Sequence, residues 1–385
     1  MKKKFFIIIT ICFLIFGTFS ASSSFAAGLD SGNPVYFAIV APITGDAAEY
    51  GTQFRVGSEI AIEKINAGGG INGREVKLEV YDSKNDPKES SEIARRLGQD
   101  KKIMAVIGDF SSTSCMAAAP IYEENHLIQL SPSASNPGWY PMGPYQFGTA
   151  GLQADDAPFA AKFVVSKYLG AKSVAVIHLN TDWGLSALGY FQEGAAEVGL
   201  EVTAVEPIVT GERDFTTILS KIRRTNPDAI HIMANYTEVS NCVKQIRQMG
   251  WDVKIVPSGS SITEQVIQIL GEDANGLVAN LGYVRDPNDP PAYEFAQEFE
   301  KRAGFAAAFH GIVSHDTATL LSEAARRCKE LTRENLRDAL AAYTGFVGLN
   351  GPIEFTEYGS VHRQYKIIGC VDGKWVALEG FDYAK

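Results

Sequence analysis

The sequence predicts an α/β fold of two lobes, each built on a parallel sheet, joined by crossing strands around a cleft. Three observations lead there. Short apolar runs alternate with helical stretches almost throughout, the pattern of parallel sheets with right-handed crossovers. The alternation comes as two series of comparable length with no low-complexity linker between them. Two serine-rich loops hang off the ends of neighbouring apolar runs. Ser111-Ser112-Thr113-Ser114 follows 103–108, and Ser131-Pro132-Ser133-Ala134-Ser135 follows 127–130. A short apolar run closed by a polar loop reads as a buried parallel strand with its carboxyl end exposed. In open α/β sheets that end is where ligands bind. Two such lobes can close like a hinge on a ligand.

The first residues are a targeting segment rather than fold. Lys2, Lys3 and Lys4 precede an apolar stretch over 5–19, and Ser24-Phe25-Ala26 offers small residues to a signal peptidase. The stretch is too short to span a membrane comfortably. Cleavage after Ala26 leaves 359 of the 385 residues and takes the formal charge from −10 to −13. Cys12 follows Ile11 in the middle of the apolar stretch, where lipidation needs a small preceding residue. The expected location is therefore periplasmic. An acidic surface argues against nucleic acid and anionic membrane as partners. A mature chain of this length is more than one ordinary domain. Cys115, Cys242, Cys328 and Cys370 are scattered without metal spacing, and Cys328 with Cys370 is the pair expected to form a disulfide.

The elements follow in order. A strand over 35–41 leads through a Gly-Asp turn into an amphipathic helix over 49–67, ended by Gly68-Gly69-Gly70. Then come strand 76–81, helix 90–99, strand 103–107, helix 117–124 and strand 127–130. A turn-rich stretch over 132–144 contains Asn136-Pro137-Gly138. The second series begins near Gln153 with helix 157–169, strand 173–178 and helix 184–198. Strand–helix pairs follow: 202–205 with 215–225, 229–233 with 239–249, and 254–256 with 263–270. The last strand of this run is 277–281. Helices over 294–302, 312–329 and 333–343 lead to C-terminal strands over 365–370 and 375–378. One lobe takes 27–152 with 284–360, and the other takes 153–283 with 361–385.

No catalytic constellation assembles. Gly68 to Gly73 has the spacing of a dinucleotide motif but follows a helix and opens a strand, so it is a turn. P-loop, HExxH and GxSxG motifs are missing from the sequence. His310 and His315 are five apart and face different sides of a helix. Asp155-Asp156 reads as a pair of helix N-terminal charges. Neither a metal nor a cofactor is expected, and no enzyme activity. The serine loops fit a different task. Hydroxyls and free N–H groups at a helix start suit a carboxylate, although Ser and Thr also favour N-caps for local reasons. Tyr50, Trp183 and Tyr236 each sit just past a strand end, where they would wall a small-molecule pocket. The chain reads as a holder of a small anionic or zwitterionic molecule.

Several segments together resemble a known family. They are Ala41-Pro42-Ile43-Thr44-Gly45, Gly51, Ile65 to Gly73, Tyr81-Asp82, Asp86-Pro87, Ile107-Gly108 and Ser131 to Ser135. In this order they resemble the leucine/isoleucine/valine-binding proteins, the solute-binding components of ATP-driven (ABC) importers. The resemblance covers essentially the whole mature chain. It implies a type I periplasmic-binding fold of two Rossmann-like lobes, a monomer that traps its ligand and hands it to a membrane permease. It also implies roles. Ser112, beside Thr113, would hydrogen-bond the ligand; Ser133 and Ser135, flanking the site residue Ala134, would bind its α-carboxylate through backbone and hydroxyl; Tyr50 and Trp183 would contact it; Tyr236 would face its amino group. One position departs from the family pattern. Ser258 stands where relatives that bind amino acids carry an acid for the ligand ammonium. A buried ammonium without a carboxylate is costly. Either another acid, such as Asp182 or Glu238, takes over, or the ligand carries no ammonium. The family's disulfide in the first lobe is also absent, since Asn85 and Ser111 occupy its positions. The expected ligand is a branched-chain or other apolar amino acid, or else a non-amino carboxylate or amide. A ligand-sensing subunit and a secreted enzyme on a related fold are the remaining alternatives.

Overall fold

The computed structural model describes residues 30–282 and 289–378, so the expected signal peptide lies outside the described residues. The first sheet holds β1 (Asp30–Ala41), β2 (Arg74–Asp82), β3 (Ile103–Gly108), β4 (Ile128–Ser131) and β5 (Gln146–Gly148). Its order is β2-β1-β3-β4-β5, and every pairing is parallel. The second holds β6 (Ser173–Leu179), β7 (Glu201–Ile208), β8 (Ala229–Met233) and β9 (Lys254–Pro257), in the parallel order β7-β6-β8-β9. All of β4 and β8 is buried, as strands covered by helices on both faces must be. The strand order reverses between β1 and β3 and again between β6 and β8. Crossovers leave on opposite sides there, which opens a crevice at the carboxyl ends of those strands.

Around the first sheet lie α1 (Ala48–Ala67), α2 (Pro87–Gln99) and α3 (Ser112–Glu124). The start of α2 is set by Asp86, whose carboxylate accepts from the Lys88 and Glu89 N–H groups, with Pro87 in the first turn. The second sheet is flanked by α4 (Gln153–Phe159), α5 (Asp182–Glu197), α6 (Thr216–Arg223), α7 (Tyr236–Gln248) and α8 (Glu264–Leu270). After β10 (Val278–Leu281) come α9 (Pro290–Ala303), α10 (Phe309–Arg327) and α11 (Arg333–Ala341), which return to the first sheet. There α10 lies along α1 so closely that a Cβ on Gly57 would stand 2.2 Å from the Gly311 carbonyl oxygen. A short hairpin of β11 (Phe346–Gly348) and β12 (Gly351–Ile353) precedes β13 (Lys366–Val371) and β14 (Lys374–Ala377).

The chain passes between the two sheets after β5, after β10 and before β13. Arg363 holds these passages together. Its buried guanidinium donates to the carbonyls of Thr149 (2.8 Å), Asn350 (3.0 Å) and Pro352 (3.3 Å). Thr149 also shares a 2.7 Å hydroxyl bond with Thr317 of α10.

Several expectations need correction. All four described cysteines are free and buried, so Cys328 and Cys370 are not paired. They belong to different lobes: Cys328 ends α10 with its thiol on the Ala324 carbonyl, and Cys370 lies in β13 with its thiol facing Asn275. The run over 277–281 is not a further parallel strand. It pairs antiparallel with β13, which pairs antiparallel with β14. The helix expected over 157–169 starts at Gln153 and widens into π turns over Ala160–Tyr168. Pro158 lacks an N–H and its ring crowds the preceding turn, which breaks the regular ladder. The helix expected from 117 starts at Ser112, and the one expected from 239 starts at Tyr236. Short strands β5, β11 and β12 carry too few residues to show a pattern.

Candidate functional site

The first serine loop is the N-terminus of α3. Ser111 is its N-cap, with the side-chain oxygen accepting from the Ser114 N–H at 3.1 Å. No acidic residue occupies the first turn, so the positive end of the helix dipole is not offset locally. The two serine loops bond to each other. Ser112 is fully buried, and its hydroxyl accepts from the N–H groups of Ser135 (3.1 Å) and Asn136 (3.2 Å). Ser131 accepts from those of Ser133 (3.1 Å) and Ala134 (2.8 Å), and donates to the Asp109 carbonyl at 2.7 Å. Beneath them the buried Asp109 carboxylate accepts from Ser83, Ser90 and the Phe110 N–H. Burial pushes its pKa up to about 6.

A cavity of about 160 Å³ opens between the sheets at the two switch points. That is the size class that holds a benzene ring, for which roughly 150 Å³ suffices. From the first lobe come Phe110, Ser111, Thr113, Ser133 and Ser135, and from the second Leu179, Thr181, Trp183, Asn235 and Ser260. The passages and the helix starts beside them add Gly151, Asn280 and Tyr365, with Asp156 of α4 and Phe309 and His310 of α10. Among the lining residues there is no lysine or arginine, and Asp156 is the one carboxylate. The Thr113 hydroxyl has no hydrogen-bond partner among the described residues. His310 is almost fully buried, ringed by Tyr50, Phe54, Phe110 and Phe309, and burial lowers its pKa to about 3. It therefore faces the cavity as a neutral imidazole. Asp156 accepts from the Asn280 side chain, and burial pushes its pKa up to about 7 against that bond.

The sequence-derived candidates divide into two groups. Thr113, Ser133, Ser135 and Trp183 line the cavity. Tyr50, Ser112, Ala134, Tyr236 and Ser258 stand behind it. Tyr50 stacks on Phe110 at 4.0 Å between ring centroids, and its hydroxyl accepts from the Tyr236 N–H at 3.1 Å. That bond ties α1 to the start of α7 across the cleft. Beside it the Thr237 hydroxyl donates to the Asp46 carbonyl (2.9 Å), and Arg213 meets the Asp46 carboxylate. The two lobes are thus closed on each other. Ser258 donates to the Ala234 carbonyl at 2.8 Å. The alternative acids are also elsewhere. Asp182 is exposed, and Glu238 accepts from the Gly211 N–H at 2.7 Å outside the lining. Phe110, beside the first loop, had a readable signal as an aromatic at a strand end. Asp156 and His310 did not, because the turns that carry them reach the cavity only through the passages between lobes. Asp155, the neighbour of Asp156, instead pairs with His362.

Comparison with known proteins gives a consistent result. The profile of a family described as periplasmic binding protein matches residues 34–374. A Leu/Ile/Val-binding protein homologue of Brucella suis is 26% identical over 363 residues, covering 94% of this chain and 95% of the relative. The crystal structure of a leucine-binding protein from Thermotoga maritima superposes with a TM-score of 0.83 at 26% identity, covering 89% of this chain and 97% of that one. A branched-chain amino acid transporter substrate-binding protein from Streptococcus pneumoniae, solved with isoleucine, gives 0.83 at 25% identity and covers 89% and 98%.

Proposed function

The chain belongs to the periplasmic binding protein family, and from that premise we propose that it is the extracytoplasmic receptor of an ABC importer for one apolar α-amino acid, branched-chain amino acids first. It is a solute-binding protein and not an enzyme. The observation that carries the ligand reading is the cavity itself. Its walls are aromatic and aliphatic, and hydroxyls gather at a helix N-terminus whose first turn holds no acid. An apolar side chain fits the first feature and a carboxylate the second. The Thr113 hydroxyl, without a partner among the described residues, is open to that carboxylate. Closure of the lobes, fastened by Tyr50 on Tyr236, then shields the ligand before delivery to a membrane permease. The protein acts as a monomer. A second reading, a non-amino carboxylate, is favoured by Ser258, which offers no charge.

The test is a thermal-shift screen of mature protein stripped of carried ligand by unfolding and refolding. Amino acids are compared with the matched acids lacking the amino group. A ligand at 100 times its dissociation constant adds roughly 2.7 kcal/mol, a visible shift. Stabilisation by leucine, isoleucine or valine but not by their deaminated analogues supports the first reading. Stabilisation by the analogues alone replaces it with the second. Turnover of a small molecule without binding-linked stabilisation would overturn both.

A further inference from the structure

A zwitterionic ligand needs one hydrogen-bonding pole for its carboxylate and one negative group for its ammonium. The cavity supplies one pole of each kind. Ser111, Thr113, Ser133 and Ser135 gather at the start of α3, and Asp156 is the one carboxylate in the lining. These poles are close together in the fold. The Gln153 N–H that opens α4 donates to the Ser135 carbonyl at 2.9 Å. Asp156 follows three residues on, in the first turn of the same helix, about 4.5 Å further along its axis. The serine pole and Asp156 therefore line one and the same cavity, joined by the short link from Ser135 to the start of α4. One carboxylate oxygen of Asp156 accepts from Asn280 on β10, and the other has no hydrogen-bond partner among the described residues. Asn280 is itself buried, so the group is held in place by its own partner.

Resting on the amino-acid reading above, we infer that Asp156 is the counter-charge for the ligand ammonium and sets the preference for amino acids over plain carboxylates. Charge balance supports it. With no cation in the lining, a plain carboxylate would bring a second negative charge into a cavity that already holds Asp156, whereas a zwitterion brings its own compensation. Burial and the neighbouring Asp155 raise the pKa of Asp156 to about 7, and no cation in the lining offsets them. An arriving ammonium supplies the missing charge. Asp182 is exposed and Glu238 lies outside the cavity lining, so neither competes for this role.

The experiment titrates wild type and Asp156→Asn with two pairs of probes, L-leucine against 4-methylpentanoate and L-phenylalanine against 3-phenylpropanoate. Wild type is expected to prefer the amino acid of at least one pair. In Asp156→Asn that preference should shrink about 30-fold or more, the scale of a broken buried charge pair, while affinity for the deaminated acid holds or rises. Binding of the deaminated acid shows that the variant is folded. If it binds nothing, Asp156→Ser is measured in its place, with the same expectation, and Asp156→Glu should keep the preference. Undiminished preference in the uncharged variants would overturn this inference and leave the amino-acid reading standing. Failure of wild type to bind any amino acid would overturn both.

Discussion

Ser112→Ala separates two roles for one hydroxyl. If Ser112 is a loop strut, the variant should weaken the ligand-free protein. The Ser112 oxygen accepts two backbone N–H groups, at 3.1 and 3.2 Å, and the side chain is fully buried. Each lost bond is worth about 1 kcal/mol net, and a buried donor left without an acceptor costs about 1–3 kcal/mol. Ser135 keeps some access to solvent, so the lower end applies to it. The expected loss is about 2 kcal/mol. With a urea slope of roughly 3 kcal/mol/M for a chain of this size, the midpoint falls by about 0.7 M at unchanged slope. The assay is urea unfolding of ligand-stripped protein followed by circular dichroism. Ser112→Thr, which keeps the hydroxyl, should recover most of the loss. A midpoint shift below about 0.2 M, together with weakened ligand binding, would refute the argument. It would mean that Ser112 acts on the ligand rather than on the second loop.

Three further outcomes follow from the geometry. Tyr50→Phe strands the Tyr236 N–H across the cleft, so the closed form should lose about 1–2 kcal/mol and ligand affinity should fall roughly 5- to 30-fold by calorimetry; unchanged affinity would show that this bond does not hold the closed state. Arg363→Met removes the guanidinium that joins the carbonyls of Thr149, Asn350 and Pro352, and should cost about 3–5 kcal/mol in urea unfolding. A loss under about 1 kcal/mol contradicts the stapling role. Asp156→Asn changes the pH dependence of the ligand-free protein. Burial raises the folded carboxyl to about 7, beside Asp155 and Tyr365, whereas the unfolded one ionises near pH 4. Between those values the folded state holds a proton that the unfolded state has released, so wild type loses this contribution as pH rises. The stability of the variant relative to wild type should therefore climb across that window and level off above it. A difference that is flat in thermal melts over the whole range would refute the burial argument.

Much of the architecture was legible because it is local. Alternating apolar runs and amphipathic stretches placed both parallel sheets, and the strand over 229–233 coincides with β8. The serine loops at the ends of β3 and β4 were visible because polar residues stop an apolar run abruptly. What those loops do was not visible. Once α3 starts at Ser112, successive side chains are turned by about 100°. Ser111 and Thr113 reach the cavity, while Ser112 between them turns back to the second loop. Three adjacent hydroxyls look alike in a sequence and differ only when the helix start is fixed. The same holds for Asp155 and Asp156, of which one meets His362 and the other the cavity. The antiparallel pairing of β10 with β13 and the separation of Cys328 from Cys370 depend on where distant segments cross between lobes. The sequence by itself determined the fold class, the family and the strand ends where a ligand would sit, because these rest on patterns a few residues long. Only the tertiary structure decided which side chains face the ligand, since His310, Asn280 and Asp156 reach one cavity through contacts between segments more than a hundred residues apart.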